Sequence, residues 1–318
     1  MRSEFEFIQH IKSKYSLSRI GDDCAVIPKD AKTDLLLTAD MLIEDIDFRL
    51  DWTTPEFLGH KSLAVSLSDI AAMGGQPTWS MLSIGVPDNL WNSNFVDRFY
   101  EAWFALAQAF DVELVGGDIS KTDGKLVIDS TVGGEVAKGN AILRSTATVG
   151  DVIFVTGDLG GAAGGLNLLE SGRRMPDLSD HREINLALKQ LQPQPQLEIA
   201  KHLQIMNIAT SMIDISDGLS SDLGHICRSS WVGARIVEKN VPCNRDLEGR
   251  FTREQILQMA FHGGEDFELL FTVSEKNISQ LTSLDISRIG EITANVGSIE
   301  LITPDDTSIL EPKGYRHF

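Results

Sequence analysis

The sequence predicts two domains of the α/β (α+β) class, joined near residue 147. Three observations carry this. The chain has 318 residues, enough for two ordinary hydrophobic cores. Strand-like and helix-like patterns are interspersed along both halves. A polar stretch, RSTATVGD at 144–151, runs straight into an apolar strand, VIFVTG, so the division falls between 1–147 and 148–318.

In chain order, LLLTA at 35–39 reads as a buried strand. Residues 56–74 read as a helix, with Phe57, Ala64, Leu67 and Ile70 near helical spacing. Residues 95–110 read as a second helix, in which Phe95, Phe99, Trp103, Leu106 and Phe110 form one buried face. Strands follow at 112–115 and 126–132. The second half opens as strand, Gly-rich turn and helix (152–171). QPQPQ is extended, because a residue before proline avoids the helical region; a further helix and the strand SMIDIS complete the pattern. The glycines of GDLGGAAGG at 157–165 do not fit GxGxxG and read as packing of helix on strand. SDIAAMGG at 68–75 echoes SDGLSSDLG at 216–224, and VGGD at 115–118 echoes HGGED at 262–266. Each half would then offer an acid opening a helix and a Gly-Gly-acid turn, which leaves a duplicated fold open.

Composition narrows the function. With 46 acidic against 28 basic residues, the net charge is −18, which repels nucleic-acid phosphates and anionic lipid. Neither nucleic acid nor a membrane is an expected partner. Cys24, Cys227 and Cys243 are far apart and form no CxxC pair, so neither zinc nor a disulfide framework is indicated. No signal pattern or membrane span is legible, and a cytoplasmic location is expected. There is no GxxxxGK[ST] and no legible Ser/His/Asp constellation; the histidines, His60 and His225 among them, read as ordinary residues.

Carboxylates recur at segment ends beside small residues: Asp22 and Asp23 in GDDCA, Asp40 in TADM, Asp69 in SDIAAMGG, Asp118 in VGGD, Asp214 and Asp217 in DISDG, Glu265 and Asp266 in HGGED. Any one of them could be a helix cap or a turn residue. Together they suit Mg²⁺, which takes oxygen ligands and shares carboxylates with substrate phosphates. The neighbouring glycines would let backbone N–H groups approach a phosphate.

These motifs occur in a fixed order: GDDCA, TADMLIEDIDF, SLSDIAAMGGQP, LVGGDIS, LRS, MIDISDGLSSDLGHI, GGEDFELLFTV and the terminal KGYRHF. In that order they resemble the thiamine-monophosphate kinase family, of the aminoimidazole-ribotide-synthetase-like superfamily, over nearly the whole chain. The resemblance implies a two-domain fold whose first-domain sheets pair across a homodimer, with ATP in a cleft lined by both subunits. It implies several Mg²⁺ ions at Asp23, Thr38, Ala39, Asp40, Asp69, Asp118, Asp214 and Asp217, with Asp40, Asp69 and Asp118 central to catalysis. It implies ATP contacts from Tyr100, Gly117, Asp118, Arg144 and Ser216, and thiamine-phosphate contacts from Asp47, Glu265 and Tyr315. The sequence departs from the family pattern at three of its positions. Ala39 replaces a hydroxyl residue, so only its backbone could meet a metal. Asp47 stands where His is common, and Ile119 where Thr is common.

The reaction so implied moves the γ-phosphoryl group of ATP onto thiamine monophosphate. Alternatives are a selenophosphate-synthetase-like enzyme, for which Cys24 would be the reactive cysteine, a hydrogenase-maturation enzyme, which would want a C-terminal cysteine where this chain has GYRHF, and a non-catalytic nucleotide-binding dimer, which would have lost the metal acids.

Overall fold

A computed structural model describes residues 4–282, 284–315 and 317. Its elements run α1 (Glu4–Lys14), β1 (Ala25–Pro28), β2 (Thr33–Ile43), α2 (Pro55–Ala72), β3 (Gln76–Pro87), α3 (Asp88–Trp91), α4 (Phe95–Ala109), β4 (Glu113–Thr122) and β5 (Val127–Ala137). They continue with β6 (Val152–Thr156), α5 (Gly161–Glu170), α6 (His181–Leu191), α7 (Leu197–Met206), β7 (Ala209–Asp214), α8 (Leu219–Ser230), β8 (Gly233–Val237), α9 (Arg253–His262), β9 (Leu269–Val273), β10 (Ile286–Thr293), β11 (Ile299–Ile302) and β12 (Thr307–Ile309).

Two sheets form. The first has the order β1-β2-β5-β3-β4, antiparallel except where β3 meets β4. The second has the order β12-β11-β8-β10-β6-β9-β7, antiparallel except between β11 and β8. One face of the first sheet packs on α2 and α4. On its other face Met41 and Met81 flank β5 and stay exposed.

Helix α2 starts at the N-cap Thr54, with Pro55 at the first position, where its missing N–H costs nothing. It is buried almost throughout because α4 lies across it on one side and α6 and α7 approach from another. The crossing with α4 is close: a Cβ on Gly59 would sit 2.1 Å from the Phe99 carbonyl oxygen. Helix α4 meets α2 with the expected stripe of Phe95, Phe99, Trp103 and Leu106, while Phe110 is only partly buried.

Strand β6 is buried at every position, and apolar from Val152 to Val155, because both of its faces are covered. Val152 and Phe154 enter the core shared with α2 and α4, while Ile153 and Val155 enter the core under α8. The first of these cores also takes Met212, Leu269, Phe271 and Val273, so it is continuous across both sheets. Among the described residues no helix is long and apolar enough to cross a membrane.

Two expectations are corrected. The internal echo is not structural: Asp69 lies in the last turn of α2 whereas Asp217 precedes α8, and VGGD lies inside β4 whereas GGED is a loop after α9. The glycines at 164 and 165 serve a helix–helix contact rather than helix on strand. A Cβ on Gly165 would meet the Leu186 carbonyl oxygen of α6 at 2.0 Å.

Candidate active site

Helix α2 carries a row of polar groups through an apolar interior, and they are tied to β2 and to β7. Ser66 Oγ donates to Asp40 Oδ2 of β2 at 2.6 Å. Ser68 Oγ donates to Asp214 Oδ2, at the end of β7, also at 2.6 Å. Asp69 Oδ2 accepts a short bond from Thr38 Oγ1 of β2. Asp23 joins them from the bend before β1, so that carboxylate oxygens of Asp23, Asp69 and Asp214 lie within 4.8 Å of one another. Arg144 grips Asp23 with a two-pronged guanidinium contact, Nε to Oδ2 at 3.1 Å and Nη2 to Oδ1 shorter still. Its backbone N–H donates to Asp22 at 2.7 Å.

One guanidinium faces several carboxylates here. Burial, then Asp23, pushes the Asp214 carboxyl up to about 8, against its bond from Ser68. Burial, opposed by Ser66 and reinforced by Asp129 and Asp23, takes Asp40 to about 6. Burial, then Asp40, Asp214 and Asp23, carries Asp69 well above the carboxylate range. Oxygen donors alone, crowded until they resist ionising, fit a hard divalent cation such as Mg²⁺. Ala39 alternates to the other face of β2 from Thr38 and Asp40 and brings no side-chain donor.

Asp217 belongs to a second group. Asp222 accepts from the backbone N–H of Asp217 at 3.2 Å and of Gly218 at 2.9 Å, closing the turn into α8. Ligand atoms of Asp217, Asp222 and His225 come within 4.8 Å of one another. Burial, then Arg228 and Arg144, lowers the His225 imidazole to about 3, so it is neutral at physiological pH.

Asp47, Glu265 and Tyr315, far apart in sequence, lie close enough to act on one another electrostatically. Asp47 Oδ2 accepts from the Ile43 N–H at 2.8 Å; burial, then that bond, His317, Glu265 and Lys61 act on its carboxyl, with a net upward shift. Tyr315 hangs by its N–H from the Asp217 carbonyl at 3.1 Å. Burial, then Asp47 and Glu265, raises its phenol. Glu265 is anchored by Lys61 Nζ at 2.7 Å and by its own N–H to Ser216 O at 2.8 Å.

Tyr100, Gly117 and Asp118 meet elsewhere, in an open cleft of about 420 Å³ between α4 and β4. Gly117 has φ +151°, and a Cβ would sit 1.9 Å from Leu82 O, so glycine is required. Asp118 accepts from Ser120 Oγ at 3.0 Å. Its register aligns it with Ser83, Asp129 and Met41, on the sheet face opposite Asp40. The nucleotide candidates therefore divide within one chain: Tyr100, Gly117 and Asp118 line the cleft, whereas Arg144 and Ser216 stand at the acid cluster and the GGED loop.

Sequence reasoning missed Lys61, Ser66, Ser68, Gln190 and Asp222. A signal existed for the first three: HKSLAVSLSD puts polar residues on every side of a helix that is otherwise apolar. His225, read as ordinary, stands in the second acidic group.

Family models match both halves of the chain: AIR synthase related protein, N-terminal domain, over residues 21–136, and the C-terminal domain of the same family over 148–301. The thiamine-monophosphate kinase of Bacillus subtilis is 37% identical over 94% of this chain and 93% of its own. That of Escherichia coli K12 is 37% identical over 94% and 91%. A solved structure described as "AaThiL complexed with AMPPCP and TMP" superposes with a TM-score of 0.90 at 33% identity, covering 99% of this chain and 97% of that one. Likeness of that extent in sequence and in backbone, through both domains, places the chain in the thiamine-monophosphate kinase family.

Proposed function

We propose that this chain phosphorylates thiamine monophosphate with ATP, giving thiamine diphosphate and ADP, by direct in-line transfer in the presence of Mg²⁺. The observation that carries the reading is the meeting of Asp23, Asp69 and Asp214 around one space in a chain 37% identical to thiamine-monophosphate kinases. The acceptor is already an anionic phosphate oxygen, so the reaction needs no strong general base. Its obstacle is repulsion between two anions. Mg²⁺ ions held by Asp23, Asp40, Asp69, Asp214 and Asp217, with Asp118 from the cleft, would neutralise and align the phosphates.

The chain's own residues do the positioning. Ser66, Ser68 and Thr38 fix the rotamers of Asp40, Asp214 and Asp69. Arg144 fixes Asp23 and adds a cation beside the phosphate path. Asp47, Glu265 and Tyr315 form the wall for the cationic, amino-bearing part of the acceptor, while Tyr100, Gly117 and Ser216 serve the nucleotide.

The same reading includes a cytoplasmic homodimer divided into domains at 1–147 and 148–318. The three unpaired cysteines suit a reducing compartment. The exposed outer face of the first sheet, with Met41 and Met81, and the division of the nucleotide candidates support assembly through the first domain. The test is a coupled assay for thiamine diphosphate formed from thiamine monophosphate, ATP and MgCl₂. Turnover that vanishes with EDTA and returns with Mg²⁺ is expected; no product at saturating substrates would overturn the reading.

A further inference from the structure

We infer that Lys61 and Gln190 are positioning residues for the acceptor substrate, acting through the carboxylate of Glu265. The inference rests on the proposed function, which gives Glu265 its place against the acceptor.

Glu265 is held at both oxygens. Lys61 Nζ, on a side chain only 5% exposed, lies 2.7 Å from Oε1, and Gln190 Nε2 donates a short bond to Oε2. Lys61 also donates to the Gln190 carbonyl oxygen at 3.2 Å, at the C-terminal end of α6, where a cation is favoured by the helix dipole. The three residues therefore close a ring from α2, α6 and the GGED loop. The backbone of Glu265 is equally constrained. Its φ is +66°, the left-handed region that a glutamate occupies at a cost, and its N–H is tied to Ser216 O. Such a position is retained where the side chain must point one way.

Gln190 supplies the second argument. It is 95% buried by its residue exposure of 5%, yet its Oε1 has no hydrogen-bond partner. A buried orphan acceptor is unfavourable, and leucine or methionine would pack there without one. The amide cannot turn over to help itself, because Glu265 requires the NH₂ side. Gln190 thus satisfies Glu265 at its own expense, which packing does not explain and positioning of the carboxylate does. Lys61 has a matching effect on charge. Asp47 and Asp217 act electrostatically on this group, and the ammonium of Lys61 offsets the charge of Glu265 among these acids.

The test is a double-mutant cycle of Lys61→Met with Glu265→Gln in the full-length enzyme, read as KM for thiamine monophosphate, KM for ATP and kcat. Lys61→Met is expected to raise the KM for thiamine monophosphate about tenfold and to leave the KM for ATP within about twofold. On the Glu265→Gln background it should add no more than about twofold, and Lys61→Arg should recover part of the loss. Gln190→Met, which removes no charge, carries the same cycle should Lys61→Met fail to fold. Additive effects in the cycle, equal effects on both substrates, or no effect would overturn the inference while wild-type turnover left the proposed function standing. A wild type that forms no thiamine diphosphate would overturn both.

Discussion

Replacing Asp40 with asparagine should move stability and activity in opposite directions. In the metal-free protein the Asp40 carboxyl is raised from 3.8 to about 6 by burial, against its bond from Ser66, and by Asp129 and Asp23. An acid raised on folding contributes stability that is whole below its unfolded pKa and is lost as pH rises through its folded one. The loss therefore runs from about pH 4 to 6 and is complete by pH 8. The gap of about two pH units corresponds to about 3 kcal/mol. Asparagine removes the charge but also weakens the bond from Ser66, so about 1–2 kcal/mol should remain as net stabilisation. For a chain of this size that is a rise in Tm of about 1.5–3 °C at pH 8 in EDTA.

Turnover should fall at the same time. Loss of one charged group preorganised for the phosphates costs about 10²–10³ in kcat, and saturating MgCl₂ should not restore it. Differential scanning fluorimetry in EDTA and the coupled assay in MgCl₂ measure the two halves. Asp69→Asn, with its carboxyl well above the ordinary range, should show the same crossed signature. A metal-free Asp40→Asn protein that melts below wild type at pH 8, or one that turns over at the wild-type rate, would refute the reasoning.

Other outcomes follow from the same geometry. Because burial, then Asp23, raises Asp214 to about 8, the metal-free wild type should lose stability from pH 4 to 8, and MgCl₂ should raise Tm more at pH 8 than at pH 6; an equal rise at both would count against a cation at these acids. Light scattering at micromolar concentration should give about twice the chain mass, and a fully active monomer would contradict assembly through the first sheet. ATP made chiral at a thiophosphoryl γ-position should give inverted product, since net retention means two transfers and a covalent intermediate. Asp47→Ala should raise the KM for thiamine monophosphate several-fold, about 1–2 kcal/mol, with the KM for ATP almost unchanged; equal changes in both would place Asp47 with the metals.

The parts of the fold legible in the sequence were those with local causes. The Phe95–Phe99–Trp103–Leu106 stripe marks α4 because one face alone is buried, and VIFVT marks β6 because two faces are. Ordered motifs pointed to the acids by resemblance. Where those acids stand was not local. Asp69 lies in the last turn of a helix and Asp118 within a strand, so reading the first as an acid opening a helix and the second as part of a Gly-Gly-acid turn failed. Lys61 could be read as a polar residue on an apolar helix, but its meeting with Gln190 could not, because that depends on how α2 docks against α6 and no spacing along the chain encodes it.

Helix α2 also sets a timetable for vectorial synthesis. His60 waits for the Pro193 carbonyl, 133 residues downstream, and Ser68 waits for Asp214, 146 residues downstream. At roughly 5–20 residues per second the nascent helix spends about 7–30 seconds without these partners. Its apolar flank likewise lacks Phe154 and Phe271, which come from later strands. The half of the chain made first can close its interior only after the second half has emerged.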